Sequence, residues 1–130
     1  MSDFYSRNGV NIHRGKYYLS EEASDSYERV RYFIAQYLGA FGNEIVFTRG
    51  TTEALNQVAY GLDLQPDDIV IGSLDSHHAQ LLPWRRFADL KLVNVDSEGD
   101  IDLDHYHELL KLNPKVVALT HCSNVTGNVA

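Results

Sequence analysis

Cysteine, positive charge and long apolar runs are all scarce in this sequence, and each shortage excludes something. One cysteine, Cys122, cannot form a disulfide within the chain, and such usage suits a reducing cytoplasm. Lys and Arg total 11 against 18 Asp and Glu, a formal net charge of −7. A phosphodiester backbone must be met by excess cations, so nucleic acid is not expected as a partner. No stretch approaches the ~20 apolar residues of a membrane span. Met1-Ser2-Asp3-Phe4-Tyr5 is neither basic nor followed by an apolar core, so no secretory leader is expected. Repeats and low-complexity tracts are absent. What remains is 130 residues, 44% hydrophobic and 22% charged, the size and composition of one soluble α/β-type domain with one core.

Hydrophobic periodicity divides the chain into alternating elements. Phe4 to Leu19 mixes polar and aromatic residues without a period and reads as an extended N-terminal arm, loosened by Gly9 and Gly15. Ser20 predicts a helix N-cap, with Glu21 and Glu22 where the dipole favours acids. Ala23, Tyr27, Val30, Ile34 and Leu38 follow at helical spacing and predict one buried stripe, ended by Gly39 and Gly42. Glu44 to Thr48 reads as a strand and Thr51 to Gly61 as a helix. A turn at Pro66-Asp67-Asp68 leads into a strand over Ile69 to Ile71. Pro83 is expected to open the next helix, since proline is tolerated in a first turn. Leu90 to Val95 reads as a strand, Asp96 to Gly99 as a turn, Asp104 to Leu112 as a helix and Lys115 to Thr120 as a strand. Strands alternating with helices predict a mostly parallel sheet covered on both faces.

Four polar clusters carry candidate chemistry, and each has a plainer alternative. Gly50-Thr51-Thr52-Glu53 stands between strand and helix, where unpaired N–H groups and hydroxyls can cradle an anion; equally, a Thr there can simply cap the helix. No lysine of the Walker type follows, so a nucleotide P-loop is not supported. Ser76-His77-His78-Ala79 follows a strand, where an imidazole can stack on a planar ring and move protons; it also suits an exposed pair or half of a metal site. Metal is disfavoured, because adjacent imidazoles do not readily share an ion and no thiol or carboxylate cluster is suitably spaced. Thr120 to Gly127 follows the last strand: Asn124 can bond a ring hydroxyl or a carboxylate, or merely form a turn, and Cys122 is expected to be a buried small residue. Asn11-Ile12-His13-Arg14-Gly15 can bind an anion or be a solvated loop.

Taken in order, these pieces resemble the cysteine desulfurase and selenocysteine lyase group of the class V aminotransferases. The matching segments are His13-Arg14-Gly15 with Leu19-Ser20 and Ala23; Phe47 to Ala54 with Asn56; His77-His78-Ala79 with Pro83-Trp84; and Thr120-His121 with Ser123-Asn124-Val125 and Gly127. The resemblance implies a fragment of the large pyridoxal 5'-phosphate (PLP)-binding domain of the aspartate-aminotransferase-type fold, with residues 1–19 as arm and 20–130 as a partial PLP-binding α/β domain. It implies that Thr52, with Thr51, binds the PLP phosphate, that His77 stacks on the ring and acts in catalysis, and that Asn124 lies near ring hydroxyl and substrate. His13 and Arg14 are expected at the interface of a homodimer. L-cysteine or selenocysteine is the implied substrate, a sulfur-acceptor protein the implied partner, and iron–sulfur cluster assembly in the cytoplasm the implied setting.

The sequence departs from that group in Tyr17 for a common histidine, Gln80 for asparagine and Asn128 for threonine. In family members the lysine of a Ser-Gly-His-Lys segment anchors the cofactor, an Asp pairs with the pyridine nitrogen, and a later Cys takes the sulfur. These would all fall after Ala130, so the chain alone is expected to be inert and not to retain PLP, any residual affinity for its phosphate being weak. Other expectations open at this point are another enzyme of the class, kynureninase-like or epimerase-like, and a non-catalytic α/β fragment that acts by association through an exposed sheet edge.

Overall fold

The computed structural model describes residues 2–7 and 9–129 and divides them into two compact units, one ending at Phe47 and the other beginning at Thr48. The first unit holds helix α1 (Ser2–Arg7), helix α2 (Tyr18–Leu38) and a single 3-10 turn (Gly42–Glu44). The segment read as an extended arm therefore begins as a helix. Helix α2 also starts earlier than Ser20 suggested: Tyr17 is its N-cap, with no side-chain cap bond. The Ser20 hydroxyl is used elsewhere, donating to the Asn11 carbonyl at 2.6 Å from a fully buried position. Ser24 accepts the His13 N–H at 2.8 Å. Two hydroxyls of α2 thus tie down residues 11–13, and a Cβ on Gly15 would overlap the Ser20 side chain. At the other end Gly39 takes the left-handed conformation (φ 70°) that lets backbone N–H groups close the last carbonyls.

The stripe read on α2 is buried only in part. Ala23 is enclosed and Tyr27 and Ile34 are half-buried, whereas Val30 and Leu38 are 52% and 64% exposed. The strand read at Glu44 to Thr48 is not formed: Glu44 closes the 3-10 turn, its carboxylate accepting the Phe41 N–H at 2.6 Å, and residues 45–48 pair with no strand. Arg31 takes the Ile45 carbonyl at 2.8 Å instead, its guanidinium over the rings of Tyr27 and Phe47.

The second unit is an open α/β layer. Helix α3 (Thr51–Gly61) precedes strand β1 (Ile69–Ser73), helix α4 (His78–Phe87), strand β2 (Asp89–Val93), helix α5 (Leu103–Leu110) and strand β3 (Val116–Val117). The three strands pair in parallel in the order β2-β1-β3, with Val70 opposite both Leu90 and Val116. Central β1 is the most enclosed element, with Val70 and Ile71 fully buried. Ala59, Leu64, Val70, Trp84 and Ala118 form the core against α3 and α4. Helix α4 lies close to the sheet, and a Cβ on Gly72 would meet Leu81 at 2.9 Å.

Two sequence expectations shift here. Strand β3 is shorter than Lys115 to Thr120, although Lys115 and Ala118 extend its bonding to Ile69 and Ile71. Pro83 lies inside α4 rather than at its start, because His77 caps the helix five residues sooner, its Nδ1 accepting the Ala79 N–H at 3.0 Å. Among the described residues no helix is long and apolar enough to cross a membrane.

Candidate functional site

The strand order places the site. From β1 the chain passes to β2 on one side, and β3 returns on the other, so the connections beyond β1 and β3 diverge and leave a crevice at the carboxyl edge. An open cleft of about 990 Å³ lies there, at the upper end of the range for small-molecule sites of ~300–1,000 Å³. Its walls come from the start of α3 (Arg49 to Glu53, Leu55, Asn56), the start of α4 (His77, Ala79, Gln80) and the β3 loop (Leu119, Thr120, Cys122, Asn124).

The α3 end is built for an anion. The first helical bond runs from the Ala54 N–H to the Gly50 carbonyl at 3.1 Å, so the N–H groups of residues 51–53 precede any helical acceptor. No side chain caps them. Gly50 itself is extended, and a Cβ there would meet nothing within 4 Å, so its backbone is open to whatever occupies the cleft. The nearest acid is already engaged: Glu53 accepts the Arg49 N–H at 2.7 Å and the Gln57 amide at 3.3 Å. Two helix N-termini, of α3 and α4, therefore border one cleft and bias it toward negative charge.

Opposite roles fall to the imidazole and the β3 loop. Because Nδ1 of His77 accepts the Ala79 N–H, the neutral ring carries its proton on Nε2. The β3 loop is held from below: Ser123 accepts N–H groups of Val125 and Thr126, and the Asn128 amide donates to Asp100 at 2.9 Å. Asp100 also belongs to the turn of Asp96, whose carboxyl is lowered by the N–H groups of Asp100, Glu98 and Gly99, the first most strongly.

Of the residues singled out in the sequence, Thr51, Thr52, His77 and Asn124 line this one cleft. His13 and Arg14 belong to the other compact unit; His13 (φ 65°) lies 3.5 Å from Glu28 and edge-on to Tyr27. Cys122, expected to be buried, is exposed on the cleft wall. Thr120 and Gln80 line it without having been assigned a role in the sequence; for Thr120 the available signal was its place at the end of a strand. Among the described residues no lysine lines the cleft; Lys91, Lys111 and Lys115 pair with Asp89, Glu108 and Asp68. Among the described residues there is no cluster of three or more His, Cys, Asp or Glu side chains able to hold a metal.

The carboxyl edge of a parallel sheet thus carries an uncapped helix start and an imidazole on the wall of one cleft. A family model for aminotransferase class-V matches residues 1–130, and the chain belongs to that family. It is 40% identical to the cysteine desulfurase of Haloferax volcanii, across 98% of this chain and 32% of that protein. It is 38% identical to a probable cysteine desulfurase of Synechocystis, across 97% of this chain and 32% of that protein. The chain thus spans 32% of the length of these curated relatives. Among solved structures, the apo cysteine desulfurase of Thermococcus onnurineus superposes with a TM-score of 0.89 at 36% identity, over 98% of this chain and 34% of that one. Cysteine desulfurase CsdA of Escherichia coli, in its S-sulfonic acid form, gives 0.77 at 36% identity over the same shares. The three-stranded parallel sheet and its helices are a part of the aminotransferase-type fold.

Proposed function

We propose that this chain supplies the phosphate cradle and one ring face of a PLP-dependent cysteine desulfurase. The observation that carries the reading is the convergence of the uncapped α3 start, His77 and Asn124 on one cleft at the carboxyl edge of the sheet. PLP fits these residues: the uncapped N–H groups at the α3 start and the hydroxyls of Thr51 and Thr52 would hold its phosphate, and Gly50 would leave room for it. When bound, PLP supplies an electron-withdrawing ring that stabilises negative charge on the α-carbon of an amino acid.

The chain's own residues then bind, orient and hold protons. Thr51 and Thr52 would hold the phosphate. His77 packs on the ring and offers its proton at Nε2, since Nδ1 is held by Ala79. Asn124 gives its side-chain amide to a ring oxygen or to the substrate carboxylate. His13 and Arg14, both exposed, serve an interface between two copies of the protein. L-cysteine as substrate is supported by the names of the relatives at 38–40% identity; a sulfur-acceptor protein and a cytoplasmic role in iron–sulfur assembly complete the proposal.

Among the described residues no lysine lines the cleft, so PLP held by these residues would be bound reversibly. Titration followed by visible absorbance should show binding that dialysis removes. Thr52→Ala should weaken PLP about tenfold or more, the worth of a hydrogen bond to a charged group (~1.5–3 kcal/mol). Inorganic phosphate should lose affinity in parallel. Unchanged affinity for both ligands in the Thr51→Ala/Thr52→Ala variant would refute the cradle.

A further inference from the structure

Beyond the cradle, three hydroxyls form a line from the buried end of β1 to the cleft wall. Ser73 Oγ lies 2.7 Å from Ser76 Oγ, and Ser76 Oγ lies 3.1 Å from Thr120 Oγ1. Ser73 is 1% and Ser76 8% exposed, while Thr120 borders the cleft. Either partner of each contact can donate, so the direction of the line must come from the protons. Each hydroxyl has one proton to give and two lone pairs to receive with. Two contacts consume two protons and leave a third. If it is left on Ser73 or on Ser76, a buried donor goes unmatched, because among the described residues neither hydroxyl meets a further acceptor. Such an unmatched donor costs the desolvation of the group with nothing to offset it. Only one direction avoids it: Ser73 donates to Ser76, Ser76 donates to Thr120, and Thr120 turns its own proton into the cleft.

We propose that Thr120 is a further ligand-binding residue, a hydrogen-bond donor to an acceptor oxygen on the ring side of the bound ligand, and that Ser76 is a positioning residue that sets its polarity. The proposal rests on the reading of the cleft as a PLP site. The phosphate already has the α3 start for its donors, whereas Thr120 shares its loop with Asn124, so the ring rather than the phosphate is its partner. The line does a second job. Ser76 immediately precedes His77, so its bond to Thr120 ties the imidazole's loop to the β3 loop and holds two walls of the cleft together.

The test is equilibrium titration of the full chain with PLP and, separately, with inorganic phosphate. Thr120→Val, which keeps the shape and removes the hydroxyl, should weaken PLP about tenfold and leave phosphate unchanged. Thr120→Ser should restore the affinity. Ser76→Ala should weaken PLP by a smaller factor, about threefold, and should add nothing once Thr120 is Val, because its effect runs through that hydroxyl. Unchanged PLP affinity in Thr120→Val overturns the donor role. An equal loss for phosphate overturns the ring assignment. Ser76→Ala without effect, or with an effect that simply adds to Thr120→Val, overturns the positioning role. If the unsubstituted chain binds phosphate but not PLP, both this proposal and the PLP reading fall together, whereas PLP binding that is lost in Thr52→Ala but indifferent to Thr120 sinks this proposal alone.

Discussion

The two compact units spend their aromatic and aliphatic residues differently. In the unit beginning at Thr48, β1 is enclosed and Val70, Trp84 and Ala118 share a core with α3. In the unit ending at Phe47, the enclosed side chains are small (Ser20, Ala23 and Ala35), while Tyr18, Phe33, Tyr37 and Phe41 are 70–83% exposed. The first unit is held mainly by polar ties and close backbone approach, the second by apolar packing. Exposed aromatic surface of this kind marks a face that another surface can cover. The site falls in the unit that packs its own core, consistent with a need for fixed walls.

The largest effects should come from the packed unit. Trp84→Ala should cost about 3–5 kcal/mol in denaturant unfolding of that unit. Trp84→Phe should recover most of this loss, because among the described residues the buried indole N–H has no hydrogen-bond partner to forfeit. An equal loss in both variants would mean that the N–H is satisfied after all. Next in size is the polar unit. Gly15→Ala should cost about 1–3 kcal/mol through the overlap with Ser20, visible as faster amide exchange in residues 11–24 with the core of the other unit unchanged. Ser20→Ala should cost about 1 kcal/mol by leaving the Asn11 carbonyl unpaired. If either change loosened β1 as much as α2, the contrast between the units would fail.

The smallest effect is electrostatic. The carboxyl of Asp68 is held below its usual value of 3.8, first by the Gln65 N–H and then by the Lys115 ammonium, each at 2.7 Å. A depressed carboxyl favours the fold once the unfolded chain is ionised. Its contribution is therefore complete above the unfolded value and is lost as pH falls through the lower folded value. Acid unfolding curves of Asp68→Asn should be flatter than those of the parent below about pH 3.8.

How far the sequence revealed this follows the same division. Where apolar packing decides, it was legible: the helix at Thr51–Gly61, the strand from Ile69 and the turn at Asp96 lie where periodicity and turn residues put them. Where polar ties decide, it was not. Ser20 looks like a cap but serves the Asn11 carbonyl, and Glu44 to Thr48 has the composition of a strand without a partner to pair with. Pro83 misled because a histidine cap is a weaker signal than a proline at a first turn. Thr51, Thr52, His77 and Asn124 fall on one cleft because each follows an element boundary that the pattern marks. The Ser73–Ser76–Thr120 line was invisible, since its last contact joins residues 44 apart in sequence.

The central claim is that the carboxyl edge of β1 and β3 is the binding site for PLP. Amide and imidazole chemical-shift mapping of the full chain during a PLP titration tests it most directly. The predicted result is a saturable set of shifts at residues 50–53, at the Nε2 side of His77 and at Thr120 and Asn124, with residues 18–38 unmoved. Saturable PLP binding whose shifts fall outside the cleft, or no shift at residues 50–53, would contradict it.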